Sequence, residues 1–440
     1  GKGREVTADD FVYSFKRIVD PSTASTGQWI FNGKVLFNTL GKLSDSSFVA
    51  VDKYTLKIKL QQPFPPFIKL LSMPYAYVVP KEAIEKYGKD FRSNPVGTGP
   101  FIFKSWEEGS SLILTKNQNY WKKDENGVNL PYLDAVQISF ITDENMAFIN
   151  FSQGKLDFLS GINENSRDMI LDSDGNVKSE FSHQFKVQKL LYLNTEYLGF
   201  QMDSSKYEDK NHPLLNKKVR QALNYAIDKQ EMVTFLRNGL GIPGEAGFVP
   251  HPILFKHKLR GYAYNPEKAS NLLKEAGFFN KKVKLQLYTT APYKQISEYL
   301  QKSWSKIGVE VEIIVNQNAT HREMANNGIL NFFRGSWVGD YVDEENYLAV
   351  FYGKNLSPAG PNKTRFVNKN FDLLYEQAIT ESDPDRREDI YLKMDKIIID
   401  ECPVIVLYYD ELVRLAQNNV VGLETNPMNM LFLEKVNIKD

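Results

Sequence analysis

The chain has 440 residues, and its 54 basic and 54 acidic side chains give a formal net charge of zero. At the usual ~100–200 residues per domain, this length indicates two or three structural units and excludes a single small module. The balanced charge excludes the strongly basic footprint of a nucleic-acid-binding protein. The single cysteine, Cys402, excludes a disulfide framework and a cysteine-ligated metal cluster.

Helix and strand patterns begin close to the start of the chain. Thr7 precedes two acidic residues and then apolar positions at helical spacing, which predicts a capped helix that stops before Pro21. Alternation of apolar and polar residues predicts a half-buried strand over 54–60, a hairpin over 101–115 and a further strand over 136–140.

The second half of the chain alternates helical and strand patterns. Helical spacing covers 219–236, 266–276, 293–307, 371–379 and 387–399, and strand patterns cover 283–287, 309–315 and 404–409. This order argues for a parallel or mixed sheet covered by helices, which is an α/β fold.

Motifs for catalysis and metal binding are missing from the sequence. The five histidines form no HExxH or other i, i+4 pair, and no GxSxG elbow, phosphate loop or strand-linked GxGxxG is present. The run DSDG at 172–175 begins like a calcium loop but lacks the later acidic ligands, so it predicts a turn. Carboxylates are numerous, yet no pair can be singled out as general acid and base, and an enzyme is therefore disfavoured.

The stretch 334–347 concentrates an arginine, a tryptophan, two tyrosines and four acids after a predicted strand over 330–333. Loops at strand ends often hold ligands in α/β folds. A carboxylate flanked by aromatic rings suits a ligand ammonium group, because the rings exclude water while the acid supplies a charge-assisted hydrogen bond. On composition alone, a solvated acidic loop with Trp337 in the core is slightly favoured.

Several other stretches, taken in their order and spacing, match one known family. They are TADDFVYS at 7–14, PVGTGPF at 95–101, NQNYW at 117–121, GKLD at 154–157, KVRQAL at 218–223, AID at 226–228 and YNPEKA at 264–269. Together with WVGDY at 337–341, the sequence resembles the extracytoplasmic solute-binding proteins of the peptide/nickel class, family five, which include oligopeptide- and dipeptide-binding proteins of ABC importers. The resemblance implies an α/β, two-lobed, type II periplasmic-binding-protein-like fold with mixed sheets and a hinge of two crossing strands.

The resemblance also implies an order of domains along the chain. Residues 1–95 would be the remnant of a subdomain attached to lobe one, 96–197 the core of lobe one, 198–404 lobe two, and 405–440 the return to lobe one. The family begins with a strand upstream of the Thr7 helix, so we expect the N-terminal part of lobe one to be missing from this sequence. A folded remnant that does not bind ligand is one alternative.

Ligand contacts are also implied by the resemblance. The family has a W-x-x-D-Y signature whose aspartate holds the ligand's α-amino group in peptide-binding members, and Asp340 is the match, between Trp337 and Tyr341. Arg334 falls where the oligopeptide-binding protein has an arginine that can reach a ligand carboxylate. The family continues with Asp-Pro after D-Y, whereas this chain has no proline there, so the shape of the flanking pocket is open.

The crossing strands are expected near 192–200 and 403–410. Side chains expected to face the cleft there are Tyr192, Asn194, Tyr197, Tyr408 and Tyr409.

The resemblance predicts a receptor outside the cytoplasmic membrane that captures short peptides with broad selectivity and delivers them to an ABC permease and its ATPase subunits. It implies no catalysis, cofactor, metal or nucleic acid, a monomer, and membrane attachment only through a lipid anchor outside this sequence. The same fold binding an oligosaccharide, a nickel chelate or haem is an alternative. A secreted hydrolase that uses unrecognised carboxylates is the alternative from another class.

Overall fold

The computed structural model describes residues 3–251, 253–255, 259–278 and 283–439. Some residues of the sequence predictions lie outside these ranges. They are His257, one of the five histidines, residues 1 and 2 of the predicted first segment (1–95), and residue 440 of the predicted last segment (405–440). No helix in the described ranges has both the length and the apolar character needed to cross a membrane.

The N-terminal segment packs around its own aromatic core. Its elements are α1 (Ala8–Val19), the antiparallel strands β1 (Phe48–Asp52) and β2 (Thr55–Ile58), and helices α2 (Phe67–Leu70) and α3 (Lys81–Tyr87). The rings of Phe15, Phe31 and Phe48 lie with centroids 4.9 to 5.4 Å apart. The predicted helix at Thr7 is confirmed, since the Thr7 N–H donates to Asp10 Oδ2 at 2.8 Å as in a capping box.

A three-stranded antiparallel sheet follows, in the order β3 (Phe101–Glu107), β4 (Ser111–Lys116) and β5 (Ala135–Ser139). The predicted hairpin and third strand are therefore confirmed. Gly109 has a φ of 76° in the hairpin turn, a backbone conformation that favours glycine.

The central element is a mixed sheet. Its strands are β6 (Phe158–Ser160), β7 (Lys186–Phe200), β8 (Ile242–Pro243), β9 (Val283–Thr290), β10 (Val309–Asn316), β11 (Phe332–Val338) and β12 (Val404–Ala416). The order is β10-β9-β11-β7-β12-β6, with β8 beside β12. β9 runs parallel to β10 and β11, whereas β7 runs antiparallel to β11 and β12. The sheet is therefore mixed, as predicted.

Helices surround this sheet, and a short strand pair lies near the C-terminus. The helices are α4 (Glu144–Ser152), α5 (Glu164–Ile170), α6 (Lys217–Tyr225), α7 (Lys229–Arg237), α8 (Pro266–Glu275), α9 (Lys294–Ser305), α10 (Asn318–Asn326), α11 (Glu344–Leu348), α12 (Lys369–Ala378) and α13 (Pro384–Glu401). The strand pair is β13 (Val420–Val421) with β14 (Asn437–Ile438).

Successive residues of the central strands alternate between two hydrophobic clusters. Phe332 and Ile405 lie in one cluster with Trp304 of α9, while Phe333 and Val406 lie in the other, with residues of α12 and α13. This alternation follows from the two-residue period of a strand with both faces covered. A third cluster, which includes Phe151 and Leu415, lies around the other ends of β7 and β12.

The predicted helix over 219–236 is two helices in the structure. α6 ends at Tyr225 and α7 begins at Lys229, because the Asp228 side chain accepts a hydrogen bond from the Glu231 N–H at 2.9 Å. An N-cap residue has non-helical backbone dihedrals, so a cap in mid-pattern interrupts the helix. The turn predicted at 172–175 is confirmed, with the Asp172 side chain accepting from the N–H groups of Asp174 and Asn176.

Candidate functional site

The signature residues lie partly on a strand rather than in the predicted loop. β11 continues to Val338, with Trp337 opposite Thr195 and Val338 opposite Asn194 of β7. The prediction that the strand ends at 333 was therefore wrong, because pairing with β7 extends it. Beyond the strand, the Gly339 N–H donates to the Leu193 carbonyl at 2.7 Å, so Asp340 is the second residue past the strand end.

A close packing contact fixes the backbone just before Asp340. A Cβ at Gly339 would lie 2.9 Å from the hydroxyl oxygen of Tyr347, which itself donates to the Leu193 carbonyl at 2.8 Å. The backbone at Gly339 and the phenol of Tyr347 therefore occupy the space that a side chain would need.

Asp340 is an exposed residue whose carboxylate binds a neutral amide. Its Oδ2 accepts a hydrogen bond from Asn346 Nδ2 at 3.4 Å, and its N–H donates to Asn346 Oδ1 at 3.0 Å. Desolvation by the surrounding protein raises the pKa of the Asp340 carboxyl, and the Asn346 hydrogen bond opposes that rise. Within the described residues, no cationic side chain lies within ion-pair distance of this carboxylate.

The other two signature side chains have partners inside the protein. The Trp337 indole is half-buried, and its Nε1 donates to Asn346 Oδ1 at 3.2 Å. Tyr341 is only 5% exposed, lies in the N-terminal aromatic cluster, and donates its hydroxyl to Glu345. In this conformation Tyr341 is a packing residue, and a direct contact with ligand stays a prediction.

Arg334 forms a two-pronged pair with a carboxylate on the neighbouring strand. Its Nε and Nη2 donate to the two oxygens of Glu196, the second at 2.6 Å, and Glu196 is fully buried. Burial raises the pKa of Glu196 to about 7, and Arg334 opposes that rise. The guanidinium lies 3.4 Å from the ring centroid of Tyr293.

A second charged pair joins Arg237 at the end of α7 to Asp410 on β12. Arg237 Nη2 donates to Asp410 Oδ1, and its Nη1 donates to the Tyr408 hydroxyl at 2.9 Å. Asn194 Nδ2 donates to Asp410 Oδ2 at 3.1 Å, while its own Oδ1 is buried without a hydrogen-bond donor among the described residues. The register of β12 against β7 shifts between 406 and 408 and again between 409 and 411, and Asp410 lies within the second irregularity.

The remaining predicted tyrosines differ in exposure. Tyr192 is half-buried. Tyr197 is 2% exposed and packs edge-on against Phe248, and Tyr409 is 1% exposed and donates its hydroxyl to the Gly247 carbonyl. Tyr197, Tyr408 and Tyr409 are thus core residues in this conformation, so their direct ligand contacts stay predictions.

The acidic run after Asp340 is not a solvated loop. Asp343 is completely buried, caps α11 by accepting from the Glu345 N–H at 3.0 Å, and pairs with Lys69 of α2 at 2.6 Å. Glu345 is also buried and accepts from the hydroxyls of Tyr341 and Tyr375. The solvated alternative was therefore wrong, because the nearby Tyr341 and the more distant Tyr375 and Lys69 bind these acids in place of water.

Several residues beside the site escaped the sequence analysis. They are Asn346, Glu196, Arg237, Asp410 and Tyr293. The sequence contained one signal for Asn346. Asp343 is a candidate helix cap just after Asp340, and the side chain three residues past such a cap would point back towards the signature. No group of three or more His, Cys, Asp or Glu side chains in the described ranges could hold a metal ion.

Comparison with known proteins identifies the family. Residues 2–358 match the family described as bacterial extracellular solute-binding proteins, family 5 Middle. The oligopeptide-binding protein OppA of Bacillus subtilis is 29% identical over 440 aligned positions, which cover 96% of this chain and 76% of the relative. The heme-binding protein A of Haemophilus influenzae is 29% identical over 417 positions, which cover 91% of this chain and 71% of the relative.

A solved structure is similar along nearly the whole chain. The unliganded open form of the periplasmic murein tripeptide binding protein MppA superposes with a TM-score of 0.75 at 26% sequence identity, covering 99% of this chain and 83% of that one. The family and these neighbours are solute-binding proteins rather than enzymes. The chain belongs to the bacterial extracellular solute-binding proteins of family 5, with their type II periplasmic-binding-protein fold and their substrate-binding role.

Proposed function

We propose that the chain is the receptor of an ABC importer, that it binds short peptides, and that Asp340 holds the ligand's α-amino group. The observation that carries this proposal is the contrast between Asp340 and three other carboxylates, Glu196 on β7, Asp410 on β12 and Asp343 at the start of α11. Glu196, Asp410 and Asp343 each have an arginine or lysine partner, whereas the side chain that binds the Asp340 carboxylate among the described residues is an amide. A partly desolvated carboxylate without a cation favours a ligand that brings one.

Arg334 is the proposed contact for the other end of a short peptide. Its side chain is 16% exposed, and Nη1 is left without a partner among the described residues after Nε and Nη2 bind Glu196. A carboxylate could therefore reach one edge of the guanidinium without displacing Glu196. The buried Oδ1 of Asn194, which lacks a donor, supports an additional contact from a ligand N–H.

The paired strands β7 and β12 are the proposed hinge. They extend from the helix-covered clusters of the central sheet to the third cluster around Phe151 and Leu415. On this reading, 96–197 and 405–440 form lobe one, 198–404 form lobe two, and 1–95 form the attached subdomain. Ligand would be enclosed by rotation of the lobes about the two strands.

Delivery to a permease with its ATPase subunits, outside the cytoplasmic membrane, completes the proposal. Extracytoplasmic placement is typical of the family, and we expect a monomer that attaches to the membrane, if at all, by a lipid anchor. The relatives named above bind oligopeptides or heme, so the ligand class has to be measured.

Mass spectrometry of small molecules released on denaturation of the purified protein is the first test. Peptides with free amino ends would support the proposal. Haem, a metal chelate or an oligosaccharide would retain the binding role and overturn the peptide assignment. Cleavage of an added peptide, read in the same spectra, would overturn the receptor role.

Titration calorimetry with tri-alanine and N-acetyl-tri-alanine is the second test. The acetyl group removes the positive charge and leaves the rest of the peptide unchanged. Equal affinity for the two peptides would refute a role for the ligand's amino group.

A further inference from the structure

Asn346 lies between Trp337 and Asp340 of the signature and binds both of them. The residue is 4% exposed. Oδ1 accepts from Trp337 Nε1 at 3.2 Å and from the Asp340 N–H at 3.0 Å, while Nδ2 points to Asp340 Oδ2 at 3.4 Å. One amide thus connects the indole, the backbone and the carboxylate of the signature.

The orientation of this amide is determined by its partners. The Trp337 indole and the Asp340 N–H are donors only, so the atom that faces them has to be the amide oxygen. The NH₂ group therefore faces Oδ2 of Asp340, where it occupies one carboxylate oxygen and leaves Oδ1 for another donor.

The helix that carries Asn346 is held on both sides. Asp343 caps α11 and pairs with Lys69, and Tyr347 donates to the Leu193 carbonyl of β7. Because both neighbours are tied to other elements, Asn346 has a defined position relative to the strand end.

We propose that Asn346 is a positioning and specificity-determining residue for the ligand's ammonium group. It holds Asp340 in one orientation, with Oδ1 presented to the ligand, and it does so with a neutral donor, so the site keeps a full negative charge. This inference rests on the proposed function and adds to it the residue that prepares Asp340 for an N–H-bearing cation.

Other titratable groups face this site and have to be separated from Asp340. Tyr192 of β7, Tyr341 and Tyr347 all have pKa values raised by burial, so they stay neutral below pH 9. On α11, burial raises the pKa of Glu344 to about 7 and also raises that of Glu345, and Lys69 faces Asp343. The pKa of Asp340 itself therefore has to be followed.

The test compares the parent with Asn346→Leu, which keeps the branched shape and the number of heavy atoms and removes all three hydrogen bonds. Carbon-detected NMR of the ligand-free chain reads the carboxyl titration, and Asp340→Asn assigns its signal. We expect the Asp340 midpoint to move up by about half to one pH unit, since a donor to the ionised form is lost. Tri-alanine should bind about tenfold more weakly at pH 7. The pH at which its affinity falls off on the acid side should rise together with the Asp340 midpoint.

Asn346→Asp is the second variant, in case the leucine variant does not fold. It keeps an acceptor for Trp337 and places a like charge beside Asp340, so it should also raise the midpoint. Asn216→Leu, which removes an N-cap far along the chain at α6, is the matched control and should leave the midpoint unchanged. An unmoved Asp340 midpoint in both Asn346 variants, or a loss of affinity that is uniform across pH, would overturn the inference.

The outcomes also separate this inference from the proposed function. If the parent does not bind tri-alanine but the Asp340 midpoint moves in the Asn346 variants, the peptide proposal fails and the positioning role stands. If the parent binds tri-alanine and neither the midpoint nor the affinity changes in the variants, the positioning role fails alone.

Discussion

Removing the charge of Asp340 should weaken peptide binding through the ligand's amino group alone. Truncating one partner of a buried charge pair usually costs ~2–5 kcal/mol of affinity. Asp340 is exposed in the ligand-free chain, and solvent screening therefore favours the lower end, about 2 kcal/mol or roughly 30-fold in Kd. Asp340→Asn keeps the shape and an acceptor for Asn346, so the loss reports the charge.

Titration calorimetry in a two-by-two design isolates this effect. Parent and Asp340→Asn are each titrated with tri-alanine and with N-acetyl-tri-alanine at pH 7. The roughly 30-fold loss should appear with the free amine and nearly disappear with the acetylated peptide, because the interaction is already absent there. Asp389→Asn, at an exposed acid on α13, is the charge-matched control. An equal loss for both peptides would mean that Asp340 acts on folding or closure and not on the amine.

Three further predictions concern buried charges. Lys69→Met should lower the free energy of unfolding by about 3 kcal/mol in urea titrations, because it leaves Asp343 buried without its cation. Arg334→Leu should cost a similar ~3–5 kcal/mol by leaving Glu196 unpaired, and adding Glu196→Gln should recover part of it. Burial raises the pKa of Asp395 to about 7, so the stability of the parent relative to Asp395→Asn should fall as pH rises from about 4 to about 7 and then level off.

Each of these predictions has its own control or contrary result. Lys81→Met removes an exposed pair with Glu85 and should change stability by less than about 0.5 kcal/mol. An Arg334→Leu loss that Glu196→Gln does not reduce would show that packing on Tyr293 matters more than charge. For Asp395, a pH-independent difference would mean that the carboxyl is ionised in the folded protein throughout this range.

Local patterns were good guides to single elements. The cap at Thr7, the hairpin over 101–115 and the turn at 172–175 depend on residues near one another in the chain, and all three are confirmed. The end of β11 was misplaced because its extension depends on pairing with β7, which is more than 130 residues away in sequence. The break between α6 and α7 was missed because the apolar spacing continues through the capping aspartate.

In the candidate site, too, the sequence motif identified some residues, while contacts between distant parts of the chain placed the others. Asp340 and Trp337 were found from a short motif, and the structure places both against Asn346. Tyr341 belongs to the same motif but packs in the N-terminal cluster, because residues of 1–95 fold against it. Its neighbouring acids are buried for the same reason, and no local pattern shows which distant lysine or tyrosine will solvate a carboxylate.

The sequence by itself determined the family and, through that resemblance, the mixed α/β architecture and the aspartate of the signature, because residue types and their order and spacing along the chain carry this information. Only the tertiary structure decided which carboxylates carry a cation. Strand register brings Arg334 to Glu196, chain crossing brings Arg237 to Asp410, and packing of the N-terminal segment brings Lys69 to Asp343. Ion pairing depends on distances of a few ångströms between residues far apart in sequence, and folding alone sets those distances.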